Sequence, residues 1–202
     1  MGLKINKEVF RNFLILIIPI LILLLSFKLI TLNPIVYNTE MDKLGNQEYN
    51  YQVTNLLGYF NNKNSLVGSY NTIEKMHLYD VKDLLDKSDI VLYFTGIISI
   101  LLVLFLYYNK TGLDSFYYGG LMTLSLLLII FVAIQLSFVT SFTYFHKLLF
   151  TNNYWVLNDN DLLIKMFPET FFHDLAQYIF GLVLLFSLFL TIAGYFIKKS
   201  IK

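Results

Sequence analysis

The chain has 202 residues, 56% of them hydrophobic and only 14% charged, against roughly 25% charged in ordinary soluble domains, which is the composition of a membrane protein. A formal net charge of +1 gives no electrostatic argument for a nucleic-acid partner. With no cysteine, disulfides, thiolate nucleophiles and cysteine-ligated zinc or iron–sulfur centres are excluded.

Residues 1–32 open with Lys4, Lys7 and Arg11 and continue as FLILIIPILILLLSF (13–27), extended through LITL past Lys28. The apolar run is long and no small-residue cleavage site follows, so a retained first span is expected rather than a cleaved signal peptide. Pro19 is tolerable inside it as a kink. Residues 33–89 form a first polar segment. Within it QEYNYQVTNLLGYF (47–60) places Tyr49, Val53, Leu56, Leu57 and Phe60 at helical spacing on one face. NNKNS (61–65) breaks that helix, and LVGSY (66–70) is expected to be a short strand, alone or in a pair. Asn71 and Glu74 have the spacing of a capping box, so a new helix is expected from Thr72. It meets no Pro or Gly before the second span, IVLYFTGIISILLVLFLYY (90–108). On that helix Ile73, His77, Asp80, Val81 and Leu84 share a stripe at 100° per residue, while Lys75, Lys82 and Asp86 fall opposite.

A connection at 109–114 leads to a third block, 115–145, that contains no charge and has residues to spare, so it should tilt or project beyond the lipid. A second polar segment, 146–174, follows, and then a fourth span with the C-terminus, 175–202. The expected fold class is an all-α integral membrane protein, four transmembrane helices with a small extracytoplasmic cap of short helices, with or without a short strand pair. Residues 1–11, 109–116 and 198–202 carry Lys4, Lys7, Arg11, Lys110, Lys198, Lys199 and Lys202 against two acids, Glu8 and Asp114. The long segments 33–89 and 146–174 are net acidic, so the positive-inside rule puts both termini in the cytoplasm and the polar segments outside.

His77 and His146 fall at the same depth, where water gives way to lipid, on two different polar segments. An imidazole both accepts and donates protons near neutrality. Asp80, three residues after His77, is placed to orient its ring. Tyr144, Phe145, Phe150, Tyr154 and Trp155 surround His146 in sequence, as an interfacial belt or as the wall of a substrate pocket. Lys28, near the outer end of the first span, is placed to reach lipid headgroups. His77, Asp80, His146 and His173 are a metal set by residue type alone, but no HExxH, H-x-H or carboxylate cluster supports it. There is no G-x-S-x-G elbow for a serine nucleophile. No span carries a mid-membrane charge, which argues against a channel or transporter, and Gln135 in the third block suits helix–helix hydrogen bonding.

EKMHLYDVKDLL (74–85), FHKLLF (145–150), NYW (153–155) and DLLIKMFPETFF (161–172), in this order among the hydrophobic blocks, resemble the bacterial lipoprotein intramolecular transacylases. The resemblance covers nearly the full length. It implies a membrane acyltransferase acting on diacylglyceryl-modified lipoproteins, with no cofactor and no metal. One acyl chain would move from the sn-2 glyceryl oxygen to the α-amine of the N-terminal cysteine, leaving the lyso-form. The resemblance also implies that His77 and His146 are the catalytic pair. His77 is then expected to be the base, with Asp80 orienting it, and His146 to polarise the oxyanion and protonate the leaving oxygen; the two histidine roles are interchangeable on sequence alone. The rival readings are a metal-dependent membrane hydrolase and a non-enzymatic membrane subunit whose cap binds lipid or a partner.

Overall fold

The computed structural model describes residues 6–200, so Lys4 and Lys202, both used for the expected orientation, lie outside the described residues. The described chain is helical, with no strand among its residues: α1 (Lys7–Thr31), α2 (Pro34–Leu44), α3 (Asn50–Phe60, preceded by a 3-10 turn at Gln47–Tyr49), α4 (Thr72–Tyr108), α5 (Ser115–Leu136), α6 (Phe138–Leu149), α7 (Leu162–Met166) and α8 (Glu169–Ser200). Four of them, α1, α4, α5 and α8, are long and apolar enough to cross a membrane. The chain divides into two compact units. One is drawn from Met1–Phe27, Asp89–Val132 and Ile179–Lys202, the other from Lys28–Ser88 and Ala133–Tyr178.

In the first unit Leu14, Ile17, Ile18 and Ile22 of α1 pack with Leu102 and Leu106 of α4 and Val183 of α8. Lipid tails are as apolar as leucine, so spans gain little by hiding hydrophobic area and are held by close packing of small residues. That is how α5 meets α8. A Cβ on Gly120 would stand 2.9 Å from the Thr191 nitrogen, and one on Gly194 would stand 2.2 Å from the Tyr117 nitrogen. The hydroxyls of Thr123, Ser187 and Thr191 return to carbonyls of their own helices, which lets polar residues sit where no water reaches. Phe94, Ile97, Leu104, Leu185, Phe189 and Ile192 are exposed, an apolar surface suited to acyl chains rather than water. Arg11 makes a two-pronged pair with Asp114, both contacts at 2.8 Å, and its guanidinium lies 5.0 Å from the Tyr118 ring centre. Lys198 donates to the Tyr118 hydroxyl at 2.7 Å. A cavity of about 220 Å³ in this unit is lined by Leu14, Ile18, Val103, Phe186 and other apolar side chains together with Ser99. It holds no titratable group and so does not compete as a reaction site.

The second unit gathers the polar segments. Asn33 caps α2 through Ile35 N–H at 2.9 Å, Pro34 supplies its first turn, and Gly45 closes it at φ 71°, the left-handed cap that glycine adopts without strain. Tyr37 and Met41 of α2 are buried, as are Val53, Leu56, Leu57 and Phe60 of α3 and Phe167 and Phe171 near the start of α8. Tyr37 meets Phe167 edge-on at 5.9 Å and Phe171 at 5.3 Å. The face expected for residues 47–60 is the one buried, apart from the half-exposed Tyr49.

Three expectations need correction or refinement. Residues 66–70 are not a strand: Gly68 has φ 151°, the described residues hold no second strand to complete a ladder, and the segment is pinned instead by the buried Tyr70. The core-facing stripe of α4 runs through Glu74, Leu78 and Leu85, one residue away from the expected one; Ile73 is exposed, and His77, Asp80, Val81 and Leu84 sit on its half-buried flank. The uncharged block 115–145 is divided after Leu136. There Ser137 leaves the helix at φ −162° and caps α6 through Thr140 N–H, while Ser141 Oγ returns to the Ala133 carbonyl at 3.1 Å. The 22 residues of α5 then measure about 33 Å, close to one hydrocarbon thickness of about 30 Å.

The capping box at the head of α4 is reciprocal. Glu74 N–H donates to Asn71 Oδ1 at 2.9 Å, and Asn71 N–H donates to Glu74 Oε2 at 2.7 Å. Glu74 Oε1 also accepts Leu163 N–H in the first turn of α7 at 2.7 Å. One carboxylate, 1% exposed, therefore caps two helices and fixes the start of α4 against residues 161–166. Glu74→Ala leaves the buried Leu163 N–H and the partly buried Asn71 N–H without partners and is expected to destabilise the fold by about 2–3 kcal/mol. Thermal melting in detergent checks this; a Glu74→Ala melt equal to wild type would mean that the double cap is not a stabilising contact.

Candidate active site

Charged residues from Glu74 to Asp89 keep the first half of α4 out of hydrocarbon, so His77 stands one turn after the capping box and outside the span. His146 lies in the last turn of α6, a helix that is not one of the four membrane-crossing elements. Two polar segments far apart in sequence thus deliver their imidazoles to one place: the ring centres are 6.1 Å apart. Phe150, immediately after α6, touches both, at 5.4 Å from His77 and 5.8 Å from His146. Trp155 lies 5.1 Å from His146, Phe142 4.1 Å, and Phe145 meets it edge-on at 5.5 Å.

His146 is 8% exposed, and its Nδ1 lies 2.8 Å from the Phe142 carbonyl. A carbonyl only accepts, so Nδ1 carries the hydrogen and the lone pair of the neutral ring is on Nε2. Burial lowers the pKa of His146, against a smaller upward pull from that same hydrogen bond. His77 is pushed down to about 4, first by burial and then by the neighbouring His146, against a weaker upward pull from Asp80. Both rings are therefore neutral at pH 7. His77 Nδ1 is buried with no hydrogen-bond partner among the described residues. A buried polar atom left without a partner costs about 1–3 kcal/mol, which fits a group kept for something that binds there.

The expected carboxylate–imidazole bond is not formed. Asp80 Oδ2 accepts from Asn152 Nδ2 at 2.8 Å and reaches His77 only through its charge. Of the expected aromatic wall, Phe145, Phe150 and Trp155 meet the imidazoles, whereas Tyr144 and Tyr154 are 68% and 37% exposed. Phe142 joins the wall without having been singled out, although its position one turn before His146 places it on the same face. Lys28 is in the last turn of α1. His173 lies apart from the pair: its Nδ1 is 3.3 Å from Asp174 Oδ1, Asp174 pairs with Lys43 of α2, and Tyr178 donates to the fully buried Glu40 at 2.9 Å. That network ties α2 to the head of α8. Among the described residues no three His, Asp or Glu side chains converge on a point where a metal ion would fit.

The architecture is that of known proteins. It superimposes on the membrane-integral lipoprotein intramolecular transacylase Lit from Bacillus cereus with a TM-score of 0.85 over 96% of each chain, at 24% identity. Two further structures of the Bacillus cereus protein, with a histidine replaced by arginine and by alanine, match at TM-scores of 0.82 over 96% of this chain and 92% and 94% of theirs, again at 24% identity. No curated protein sequence matches the chain. The family model described as lipoprotein intramolecular transacylase Lit matches residues 12–172, a stretch that runs from within α1 through α7 and includes both imidazoles. With most of its length matched, the chain belongs to the lipoprotein intramolecular transacylase family.

Proposed function

We propose that the protein moves an acyl chain from the sn-2 glyceryl oxygen of a diacylglyceryl-modified lipoprotein to the α-amine of its N-terminal cysteine, producing the lyso-form at the outer face of the cytoplasmic membrane. The observation that carries this reading is the pair of imidazoles 6.1 Å apart inside an aromatic enclosure. The neutral amine attacks the ester carbonyl carbon, and a C–N bond forms as the carbonyl oxygen becomes an oxyanion. His146 Nε2 takes the amine proton. When the C–O bond to glycerol breaks, the imidazolium returns that proton to the departing oxygen, and the ring ends as it began. His77, neutral, donates an N–H to the oxyanion. This moves the base role to His146 and the oxyanion role to His77, with protonation of the leaving oxygen staying on His146 as expected from the sequence, and the supporting reason is the engaged Nδ1–H of His146.

Because amine and ester belong to one molecule, holding them together is the larger part of the work. Well-oriented intramolecular reactions reach effective molarities of about 10⁵–10⁸ M. Phe142, Phe150 and Trp155 exclude water, the competing nucleophile. The basic residues of the short connections and termini support cytoplasmic ends, with residues 33–89 and 146–174 outside; Lys28 would then reach headgroup phosphates from the end of its span. Replacement of a histidine by arginine and by alanine in two structures of the Bacillus cereus relative is in keeping with a histidine reaction. Mass spectrometry of a model lipoprotein's N-terminal peptide, incubated in membranes with and without this protein, tests the reading. The expected result is an unchanged mass with one acyl group relocated to nitrogen. A loss of one acyl mass, or a gain, would overturn it in favour of hydrolysis or of transfer between lipids.

A further inference from the structure

Asn152 is the point at which the two histidine-bearing segments are joined. Its side-chain Nδ2 donates to Asp80 Oδ2 at 2.8 Å, one turn beyond His77 on α4. Its Oδ1 accepts Tyr154 N–H at 3.0 Å, and its carbonyl accepts the Trp155 indole N–H at 3.0 Å. Through the last of these the indole is held over His146, 5.1 Å between ring centres. Thr151, Asn153 and Tyr154 around it are exposed, so between the ring contacts of Phe150 and Trp155 at its two ends the turn is held by the hydrogen bonds of Asn152.

We propose that Asn152 is a positioning residue that decides which nucleophile takes the acyl group, by latching the Phe150–Trp155 turn onto α4 over the imidazole pair. The inference rests on the acyl-transfer reading above. With the latch made, the indole and Phe150 keep water from His146 Nε2, and the substrate's own amine is the nucleophile in reach. With the latch broken, the turn lifts and water competes. The water oxygen then bonds to the ester carbonyl carbon, His146 takes one water proton, and the C–O bond to glycerol breaks. The glycerol oxygen receives that proton, and a free fatty acid leaves in place of an amide. Asp80 serves as the anchor of this latch rather than as a partner of the His77 ring.

The test is the ratio of released fatty acid to N-acylated lipoprotein, measured on the same incubation. Asn152→Ala is expected to raise that ratio about tenfold, the size of effect that one lost hydrogen bond to a carboxylate produces. Asn152→Asp, which sets two carboxylates against each other, should raise it as well. The exchanged pair, Asp80→Asn with Asn152→Asp, restores an amide–carboxylate bond with donor and acceptor swapped and should bring the ratio back toward wild type. A purely structural role would lower both products together, so an unchanged ratio in a folded Asn152 variant overturns the proposal. So does an exchanged pair that behaves like the Asn152→Asp variant, which keeps the test decisive if Asn152→Ala fails to fold. Wild-type protein that yields no N-acylated product would overturn the acyl-transfer reading and this inference with it. Wild-type transfer with an unresponsive ratio overturns this inference alone.

Discussion

His146→Ala is expected to lower formation of the N-acylated product by about 10²–10⁴-fold, the range that a positioned general base contributes, while the protein still inserts and elutes from detergent as wild type does. His77→Ala is expected to cost about 10²–10³-fold, the scale of one oxyanion donor. Glutamine at each position separates the two roles. A glutamine amide keeps an N–H but has no basic lone pair, so His77→Gln should retain part of the activity lost in His77→Ala. At His146 glutamine should be as inactive as alanine. The opposite pattern would assign the base to His77, and wild-type turnover in either alanine variant would remove the histidine mechanism altogether.

The two imidazoles also set the pH dependence. Lowering the pH protonates the substrate's α-amine around pH 7.7–8.0, so log kcat/KM falls with a slope of one below that value. A second protonation that removes the base steepens the slope to two. An exposed histidine would do so at its ordinary value, about 6.5, but burial lowers the pKa of His146 and holds His77 near 4. The steepening is therefore expected only below pH 6.5. A slope of two already reached above pH 6.5 would mean that the base is not a desolvated imidazole.

How far the sequence reached is clearest element by element. The four spans were legible because length and charge exclusion alone decide them. The start of α4 was legible because Asn71 and Glu74 carry their own capping chemistry. Helix α2 went unread although its signals were present: Asn33–Pro34 opens it and Gly45 closes it, an asymmetry that marks a short helix even where the apolar period is weak. The break at Ser137 was hidden because an uncharged run of residues 115–145 gives no contrast from which a boundary can be read. The strand expected at 66–70 came from local composition, and a strand is not a local object; it needs a partner whose presence no five-residue window reports. At the site, periodicity placed His77 on the correct side of α4 to within one residue. Sequence spacing then favoured Asp80 as its partner because the two are neighbours on that helix. The chain pairs Asp80 with Asn152 instead, seventy-two positions away, which only the folded arrangement reveals. The same holds for Glu74, whose second helix N-terminus comes from Leu163.

Gly194→Ala is expected to destabilise the protein by about 3 kcal/mol, the upper part of the range for overpacked contacts, whereas Gly181→Ala on the same helix is expected to stabilise it by up to about 1 kcal/mol. A Cβ on Gly194 would lie 2.2 Å from the Tyr117 nitrogen and 2.7 Å from the Phe116 carbonyl carbon. These are backbone atoms, which cannot rotate away as a side chain can, so α5 and α8 must separate for the methyl to fit. Separation costs dispersion contacts along the whole crossing, and in a bilayer those contacts are the main attraction between spans. A Cβ on Gly181 meets nothing within 4 Å, so alanine there only removes the backbone entropy that glycine loses on entering a helix. For a chain of this size about 3 kcal/mol corresponds to a melting shift of about 6–12 °C. The paired measurement isolates the contact from the substitution: both variants add one methyl to α8, and only one adds it where two backbones touch. Equal melting temperatures for the two would show that α5 and α8 are not held by close backbone approach.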